Sequence, residues 1–525
     1  MQLARRISQL LFLLFFLVLF FLAAYPYETG INVDLFLRSS PLIAIATFLA
    51  TREIVASLLI GLTLLVISIF LGRYFCGWIC PLGTSVDLFD RILGKLKRKD
   101  NAAVRRFRAW KFSILIIVLI AALFSLQFVW FFDPIVIMTR TMTTTIYPVT
   151  VFFIEGVLNL LLGIGIFQDS VFSVYDFLRR TILPIAPIFF QLSLIFGLIF
   201  LGLLLLNVFA RRFWCRYLCP LGALFGFLSS FRLTRGIVVS DDFCIDCGKC
   251  QRSCKMDAIN DDFRSYNPIE CIECMTCIAV CPTDAISYQL KYRFGRERTD
   301  ISKRRFLFST AGGLLTLGLV KTAFPNKVSM GHVVRPPGSL PEADFLDRCV
   351  RCQQCVKICS STGACLQPAW LESGWEGIWT PLVNARYGYC EYNCNLCGKV
   401  CPTGAIHDIE LEQKKQLTMG TAYFDRSRCI PWYRNEDCLV CEEHCPLPDK
   451  AIKFDVREVR AQDGTQRVVK FPYVVESLCI GCGICVNKCP VEGNGGIFLT
   501  NAREQRWEEG VLLSKNNESS ARIKF

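Results

Sequence analysis

Long apolar runs separated by basic segments dominate the first 235 residues of the chain. Several of these runs approach the roughly 20 apolar residues that a helix needs to cross a bilayer. Lys and Arg concentrate after the second run and after the last one, so the positive-inside rule places both loops in the cytoplasm. The pattern therefore predicts about four spans with the N-terminus inside: Leu10–Ala24, Ile54–Leu71, Phe112–Phe132 and a span within Ile182–Ala210.

A fifth apolar segment, Tyr147–Phe167, does not fit this crossing count. A fifth full crossing would break the parity that puts both basic loops inside, so we interpret the segment as a peripheral or re-entrant helix on the outer side. Ionisable residues lie in or beside the apolar stretches here, namely Asp133, Arg140 and Glu155. Ionisable groups are expensive in a membrane and mark functional sites by default. The alternative is that these side chains are solvated at the interface.

The stretch Ser302–Phe324 separates this half of the chain from a cysteine-rich half without apolar spans. It has a basic entry, a short apolar core and a Lys exit. Its first residues, Ser302–Leu307, fit the twin-arginine export pattern S-R-R-x-F-L, with Lys303 in place of the first arginine. Twin-arginine signals are addresses read by a receptor, and no A-x-A cleavage signal follows. We therefore predict a retained signal anchor; the alternative is an ordinary apolar helix after a basic linker.

The composition agrees with a membrane protein of several domains. The chain has 525 residues, of which 53% are hydrophobic, and a formal net charge of +13. Much of the positive excess flanks apolar runs, as in cytoplasmic loops, and neither helix-turn-helix nor zinc-finger spacing accompanies it. Membrane lipid is therefore an expected partner, whereas nucleic acid is not.

The numbers of cysteines and histidines narrow the redox chemistry. The chain has 29 cysteines, in metal-cluster spacings, and only three histidines, all beyond residue 325. Bis-histidine haem in the membrane region is therefore excluded, and so is c-type haem, which needs C-x-x-C-H. Neither G-x-G-x-x-G nor a P-loop is present and no flavin motif is seen, so direct use of NAD(P)H or ATP is not expected.

A short cysteine motif occurs twice in the membrane-type half. The segment Arg73–Gly83, RYFCGWICPLG, recurs as Arg212–Gly222, RFWCRYLCPLG. Each C-x-x-x-C puts two thiols on one helical face, and the following Pro and Gly end or redirect the chain. Together the copies would bring four thiols into one place, which suits a cluster or a redox-active dithiol pair; the alternative is a structural turn with buried thiols. The redox-thiol candidates of this twin motif are Cys76, Cys80, Cys215 and Cys219.

Residues 236–295 have the cysteine spacing of a bacterial two-cluster ferredoxin. In this spacing three close cysteines wrap one four-iron cluster, and the fourth reaches the other cluster. We therefore predict two [4Fe–4S] clusters in a cytoplasmic module. Zinc is disfavoured, because zinc sites rarely use eight such ligands without histidine. The predicted ligand sets are Cys244, Cys247, Cys250 and Cys281 for one cluster, and Cys254, Cys271, Cys274 and Cys277 for the other.

Four more cysteine groups lie beyond residue 345 and predict four further [4Fe–4S] sites. Sequential pairing joins the first group with the second and the third with the fourth. Nested pairing joins the first with the fourth and the second with the third, and the count of cysteines leaves both pairings open. Cys365 is left over and is interpreted as structural. The four groups are Cys349, Cys352, Cys355, Cys359; Cys390, Cys394, Cys397, Cys401; Cys429, Cys438, Cys441, Cys445; and Cys479, Cys482, Cys485, Cys489.

The twin motif followed by a two-cluster ferredoxin resembles the NapH-type membrane subunit of periplasmic nitrate reductase systems and the wider NosR-like family. From Ser302 onward the chain resembles NapG, the twin-arginine-exported partner with four [4Fe–4S] clusters. The resemblance implies a NapH–NapG fusion that acts as a quinol dehydrogenase. Menaquinol or another quinol would be the donor, and a periplasmic cytochrome, including a multihaem one, or a reductase would be the acceptor. Asp133, Arg140 and Glu155 would then be the quinone-site candidates.

The predicted fold class is multi-domain, with an α-helical membrane bundle of about four spans joined to α+β bacterial ferredoxin-like modules. The expected location is the bacterial inner membrane, with the first ferredoxin module in the cytoplasm and the C-terminal module in the periplasm. The expected domains are a membrane domain over 1–235, a two-cluster ferredoxin over 236–295, a signal anchor over 296–325 and a four-cluster polyferredoxin over 326–525.

Six clusters on two sides of a membrane pose a physical difficulty. The apolar core of a bilayer is about 30 Å thick, and no haem is available to cross it. Quinone, another subunit or an unrecognised centre at the twin motif would have to link the two sides. Two other functions stay open: a maturation or metal-reduction factor that supplies electrons for assembly of an oxidase or reductase, and inward electron flow to quinone or ferredoxin.

Overall fold

The chain folds into two compact units. The first unit comprises Met1–Phe21, Ile31–Met142 and Leu194–Ala323, and the second comprises Leu22–Gly30, Thr143–Ser193 and Phe324–Phe525. The first ferredoxin module therefore belongs to the same unit as most N-terminal helices. The computed structural model describes residues 2–27, 30–92, 106–164, 168–184, 188–231, 234–292, 307–315, 318, 333–460, 466–508, 511–514 and 523–524.

Helices make up most of the first unit. Proline begins several of them, because the N–H that proline lacks would be unpaired at a helix start. Ser40 caps the helix that begins at Pro41, and Asp133 caps the helix that begins at Pro134. The helical segments of this unit are Gln2–Leu22, Leu35–Arg38, Pro41–Thr51, Ala56–Leu58, Ile60–Leu71, Tyr74–Trp78, Pro81–Ile92, Arg106–Ala109, Trp110–Leu123, Val129–Phe132, Pro134–Thr141, Ser193–Leu205, Leu206–Val208, Trp214–Leu218, Pro220–Ser229, Lys249–Ser253 and Thr276–Val280.

Two helices among the described residues are long and apolar enough to cross a membrane, Gln2–Leu22 and Pro134–Gly163. The sequence predicted a peripheral or re-entrant helix over Tyr147–Phe167. Its described part instead continues an earlier helix through the π-helical turn Met142–Ile146. The continuous helix has the length of a full crossing, so length no longer favours the peripheral interpretation.

The other predicted spans are shorter than expected. The run Ile54–Leu71 forms the helix Ala56–Leu71, and the run Ile182–Ala210 forms the helix Ser193–Val208. Both are shorter than the roughly 20 residues of a typical transmembrane helix.

The run Phe112–Phe132 is not one helix, contrary to the prediction of a single span. The helix Trp110–Leu123 ends, and a short helix begins again at Val129, because the backbone turns at Ser125 with a φ of +61°. The bundle of four spans therefore stays a prediction.

The first ferredoxin module is an α+β fold within the first unit. The strand Thr234–Val239 precedes the first cysteine run and pairs antiparallel with Ile286–Tyr292, which follows the second run. The helices Lys249–Ser253 and Thr276–Val280, one in each run, pack against each other. Both cysteine runs therefore lie between the same two strands, as the ferredoxin-like prediction requires.

The second unit repeats this design twice. Ser339 and Ile406 form an antiparallel bridge that joins the segment before the first cysteine group to the segment after the second. The strand Thr421–Phe424 pairs antiparallel with Ile497–Thr500, and these two strands flank the third and fourth groups. Buried apolar residues form a core for each half.

The remaining elements of the second unit are short, apart from two helices and one hairpin. The helices are Tyr147–Ile164, Gln168–Thr181, Glu342–Arg348, Gln354–Cys359, Leu396–Lys399, Leu411–Gln416, Ile430–Arg434, Val440–Glu443 and Ile484–Asn487. The other strands are Leu366–Pro368, Pro381–Val383, Ile452–Arg460, Gln466–Val474, Gln505–Glu508, Val511–Ser514 and Ile523–Lys524.

Two features of the sequence prediction lie outside the described residues. They are most of the basic loop after the second apolar run, residues 93–105, and the start of the twin-arginine-like motif, residues 302–306. Residues 307–315 of the expected anchor are helical. The signal anchor therefore stays a prediction.

Candidate iron–sulfur sites

Four of the six ferredoxin-type groups share one backbone conformation. In each, the second and the fourth residue after the first cysteine have a positive φ. Backbone of this kind turns N–H groups inward and forms the anion-binding concavities of many iron–sulfur sites. Five of these eight residues carry a side chain, for which the left-handed region costs roughly 1–2 kcal/mol. The pairs are Asp246 and Gly248, Glu273 and Met275, Arg351 and Gln353, and Gly481 and Gly483.

Cys244, Cys247, Cys250 and Cys281 line one cavity of the first ferredoxin module. The Phe263 ring forms part of its wall. Three of the cysteines come from the first run and one from the second. The structure thus brings together the interleaved set that the spacing predicted.

Cys254 lies with the other three cysteines of the second run. Electrostatic interactions connect it with Cys271, Cys274 and Cys277. Burial raises the pKa of Cys271 and of Cys277 above the usual thiol range. Thiols in such surroundings keep their protons at neutral pH unless a metal ion replaces them, so four convergent buried thiols with no other chemistry suit a cluster.

The first and second groups of the C-terminal half are interleaved in the same way. Cys401 of the second group interacts with Cys349 of the first. Cys359 of the first group interacts with Cys390 and Cys397 of the second. The last cysteine of each group therefore lies with the other group.

The third and fourth groups form the second interleaved pair. Cys445 of the third group lines one cavity with the first three cysteines of the fourth group. Cys489 of the fourth group interacts with Cys429 of the third, and its sulfur accepts the Gly496 N–H at 3.4 Å. Of the two pairings that the sequence left open, the structure has the sequential one.

Cys365, which the spacing left over, is buried beside the site formed by Cys359 and the cysteines of the second group. Its sulfur lies 3.8 Å from Cys359 Sγ, and it also interacts with Cys390 and Cys397. The contact with Cys359 raises the pKa of the Cys365 thiol. No spacing rule gives a signal for this position, because it depends on the turn that separates Cys359 from the strand Leu366–Pro368.

The second cysteine of each twin-motif copy caps a helix. Cys219 Sγ accepts the Gly222 N–H at 3.3 Å at the start of Pro220–Ser229. Cys80 Sγ accepts the Gly83 N–H at 3.4 Å at the start of the next helix in the other copy. The sequence placed the two thiols of each copy on one helical face, and this prediction is wrong. Proline starts a new helix directly after the second cysteine, so the first thiol belongs to the preceding turn.

The arginine of each copy of the twin motif contacts the other copy. Arg212 of the second copy donates to the Cys76 carbonyl at 3.0 Å and to the Gly83 carbonyl at 3.2 Å in the first copy. Arg73 of the first copy lies against the second copy, where a Cβ added at Gly222 would be 2.7 Å from Arg73 Nη2. The repeat is therefore an approximate two-fold arrangement in space.

All four thiols of the twin motif meet in this arrangement. Electrostatic interactions connect Cys219 with Cys215, Cys76 and Cys80. Cys80, Cys215 and Cys219 are buried, and Cys76 is half-buried. The structure thus assembles the four redox-thiol candidates that the sequence could only place in pairs.

The twin motif also lies on the second cysteine loop of the first ferredoxin module. Arg73 Nη1 donates to the Ile269 carbonyl at 2.9 Å. Trp78 Nε1 donates to the Glu273 carbonyl at 2.9 Å. A Cβ added at Gly77 would lie 2.2 Å from the Ile272 oxygen, so only glycine allows this approach.

The quinone-site candidates have structural roles. The buried Asp133 carboxylate accepts two N–H groups at a helix start and the Ser40 hydroxyl at 2.7 Å. Arg140 is buried and donates to the Trp130 carbonyl at 3.1 Å. Glu155 is half-buried in a helix of the second unit. A quinone site at these residues stays a prediction.

Three protein-family models match four segments of the chain. A 4Fe-4S binding domain matches residues 54–100 and 192–237, which hold the two copies of the twin motif. A 4Fe-4S dicluster domain matches residues 243–286. A further 4Fe-4S binding domain matches residues 472–492.

Curated relatives match up to half of the chain. The methylamine utilization ferredoxin-type protein MauM of Methylorubrum extorquens is 34% identical over 183 residues, which are 34% of this chain and 79% of MauM. The ferredoxin-type protein NapG of Escherichia coli is 36% identical over 197 residues, which are 36% of this chain and 82% of NapG. The putative electron transport protein YccM of Escherichia coli is 26% identical over 274 residues, which are 50% of this chain and 61% of YccM. No solved structure matches the chain.

The family models and the relatives agree with the cysteine geometry. Iron–sulfur electron transfer is the chemistry that ferredoxin domains share. The chain therefore belongs to the 4Fe-4S ferredoxin-type family that includes NapG and MauM.

Proposed function

We propose that the chain is a membrane-bound electron-transfer protein that oxidises a quinol, such as menaquinol. The electrons pass through six [4Fe–4S] clusters to a periplasmic cytochrome or reductase. The observation that supports this proposal is the convergence of cysteines from paired groups: Cys244, Cys247, Cys250 and Cys281 line one cavity, and Cys445 lines another with Cys479, Cys482 and Cys485. Family membership supports the electron-transfer role, and the resemblance to NapH-type subunits supports the quinol.

Each cluster would take three ligands from one cysteine group and one from the partner group. In the first module the sets are Cys244, Cys247, Cys250 with Cys281, and Cys271, Cys274, Cys277 with Cys254. In the C-terminal region they are Cys349, Cys352, Cys355 with Cys401; Cys390, Cys394, Cys397 with Cys359; Cys429, Cys438, Cys441 with Cys489; and Cys479, Cys482, Cys485 with Cys445.

A quinol donates two electrons, and two neighbouring clusters can accept one electron each. Oxidation of one quinol to quinone releases two electrons and two protons, and a bound [4Fe–4S] cluster supplies one-electron chemistry. The chain's own residues hold four sulfurs at each site. In four groups the left-handed loop residues also turn backbone N–H groups toward the site, and such hydrogen bonds set cluster potentials. Neighbouring sites in one module share a cysteine run, which suits electron transfer between them.

We propose the acceptor by class and not by name. The relatives include proteins named for methylamine utilization as well as NapG, so nitrate reduction is one setting among several. The proposed location is the inner membrane, with the first ferredoxin module on the cytoplasmic side and the C-terminal half on the periplasmic side.

Quinol oxidation is tested with protein purified anaerobically from membranes. Addition of a menaquinol analogue is expected to bleach the iron–sulfur absorbance and to produce the electron paramagnetic resonance signals of reduced clusters. Oxidised quinone serves as the control and leaves the spectrum unchanged. Clusters that dithionite reduces but that quinol leaves oxidised would contradict quinol as the donor.

Sidedness is tested by protease protection in intact spheroplasts. The region beyond Phe324 is expected to be cleaved from outside, whereas the module at 236–292 is protected until the membrane is opened. Protection of both regions would make the chain an inner-face polyferredoxin and would contradict the periplasmic acceptor.

A further inference from the structure

The four thiols of the twin motif belong to none of the six proposed clusters. Two come from each copy of the repeat, and the fold brings all four together. A family model describes each copy as part of a 4Fe-4S binding domain, yet one copy has only two cysteines. A four-cysteine cluster therefore needs both copies at one place, which is the arrangement in the structure.

Arg73 provides a second, independent sign of a ligand here. The side chain is completely buried, and its Nε and Nη2 have no hydrogen-bond partner among the described residues. Nη2 points toward Gly222, where an added Cβ would lie 2.7 Å from Nη2 and 3.5 Å from Cys219 Sγ. A buried charge that lacks a partner destabilises the fold strongly, so an anion beside Cys219 would explain this orientation.

The environment of Arg212 differs in an informative way. Its guanidinium donates to both carboxylate oxygens of Asp87, at 2.8 and 2.9 Å, and to two backbone carbonyls. Arg73 Nη1 donates to the Ile269 carbonyl and lies 3.5 Å from the Glu270 carboxylate, which also pairs with Lys111. Asp87 is shared in the same way, with Arg5 and Lys255. The two arginines therefore differ in their hydrogen bonds: among the described residues Arg73 Nη2 has no hydrogen-bond partner, and this nitrogen lies beside Gly222 on the side of Cys219.

We infer that Cys76, Cys80, Cys215 and Cys219 hold one iron–sulfur centre, shared by the two copies and additional to the six clusters. Each thiol would release its proton to solvent as iron binds its sulfur, and the resulting anionic centre would face Arg73 Nη2. Cys80 and Cys219 already accept backbone N–H groups, as sulfurs of iron–sulfur clusters do. A neutral dithiol pair would offer no anion to Arg73 Nη2.

The position of the twin motif gives this centre a role that rests on the proposed electron-transfer function. The motif packs directly on the loop that holds Cys271 and Cys274. Arg212 interacts electrostatically with both Cys215 and Cys274. The centre would therefore exchange one electron at a time with the second cluster of the first ferredoxin module.

Iron and acid-labile sulfide per chain test the centre directly. Seven four-iron clusters would give about 28 iron atoms per chain, against about 24 for six clusters. The variant with Cys76→Ser and Cys215→Ser is expected to lose only this additional iron and to keep the six-cluster signal. Gly202→Ala is the control, because nothing lies within 4 Å of a Cβ added there, and it is expected to keep all the iron.

Wild-type measurements keep the test decisive if the double variant does not fold. About 24 iron atoms in native protein, with these four cysteines open to alkylation after denaturation in the absence of reductant, would overturn the centre. Arg73→Gln is expected to lower the reduction potential of one cluster signal and leave the others unchanged, and Arg73→Lys to restore it. A uniform shift of all signals would show a merely structural role. Dithionite reduces the clusters without quinol. The reduction potentials can therefore be measured even if the protein does not oxidise quinol.

Discussion

The ferredoxin loops and the twin motif both bring cysteines together, but they use different parts of the chain to do so. A ferredoxin loop is local. In the segment Cys244–Cys250, for example, three cysteines and two residues with a positive φ are close together in the sequence, and backbone N–H groups of this conformation form the concavity. The twin motif contributes only two cysteines per copy, and its thiols cap helices while an arginine from the opposite copy supplies the charge. A ferredoxin loop supplies three of the four cysteines of a site by itself, whereas each copy of the twin motif supplies only two and needs the other copy for the rest.

The two units also differ in which side chains form their buried cores. In the second unit the cysteines are part of the hydrophobic core, which includes Cys349 and Cys355. In the first unit the helices outside the cysteine motifs bury apolar side chains such as Leu42 and Val118. We therefore expect the ferredoxin-type regions to depend on metal for their fold, and the helices around the twin motif to depend on it much less.

Removal of the metal is expected to have the largest effect. Oxidative loss of iron in the presence of a chelator should unfold the second unit, because metal-binding energy is folding energy in sites of this kind. Limited proteolysis should then digest the C-terminal region within minutes, while far-UV circular dichroism keeps most of the helical signal. Chelator without oxidant is the control. If the C-terminal region resists protease without iron, its hydrophobic core is stable without the clusters and the prediction is wrong.

Paired cysteine substitutions are expected to cost one cluster or two, depending on which sites they share. Cys349→Ser combined with Cys401→Ser should remove a single cluster, about four iron atoms per chain, because both residues lie at one site. Cys349→Ser combined with Cys397→Ser should remove about eight, because these residues lie at neighbouring sites. Iron analysis and spin quantification measure both. Equal losses in the two double variants would contradict the sequential pairing.

The sequence was sufficient where a site is local and insufficient where it depends on pairing of distant segments. Spacing alone grouped the cysteines, because three ligands on one tight loop require it. The pairing of the outer groups depends on the bridge between Ser339 and Ile406 and on the strand pair that follows, and no local pattern encodes these contacts. The helix break at Ser125 was missed for a related reason, since an apolar run shows its hydrophobicity but not its turn.

A methyl group at Gly222 is expected to disturb the twin motif by about 1–3 kcal/mol, the usual cost of overpacking a well-packed core. The added Cβ would lie 2.7 Å from Arg73 Nη2, so the guanidinium must move away from Cys219. Gly202→Ala is the matched control, because nothing lies within 4 Å of a Cβ there. Thermal denaturation in detergent measures the stability, and the potential of the additional cluster signal should change only in Gly222→Ala. An equal effect of both variants would mean that helix propensity, and not the arginine contact, decides the result.

The smallest effect is expected at Gly248, where the ferredoxin loop depends on backbone conformation. Gly248 has a φ of +65°, and a Cβ there would lie 3.3 Å from the Phe263 ring. Valine should cost roughly 1–2 kcal/mol more than asparagine at this position, because asparagine tolerates the left-handed region and a β-branched side chain does not. The rate of loss of cluster absorbance on heating compares the two variants in otherwise unchanged protein. Similar rates for valine and asparagine would assign the cost to the contact with Phe263, and the ferredoxin loop would then resemble the twin motif in depending on side-chain packing more than on its own backbone.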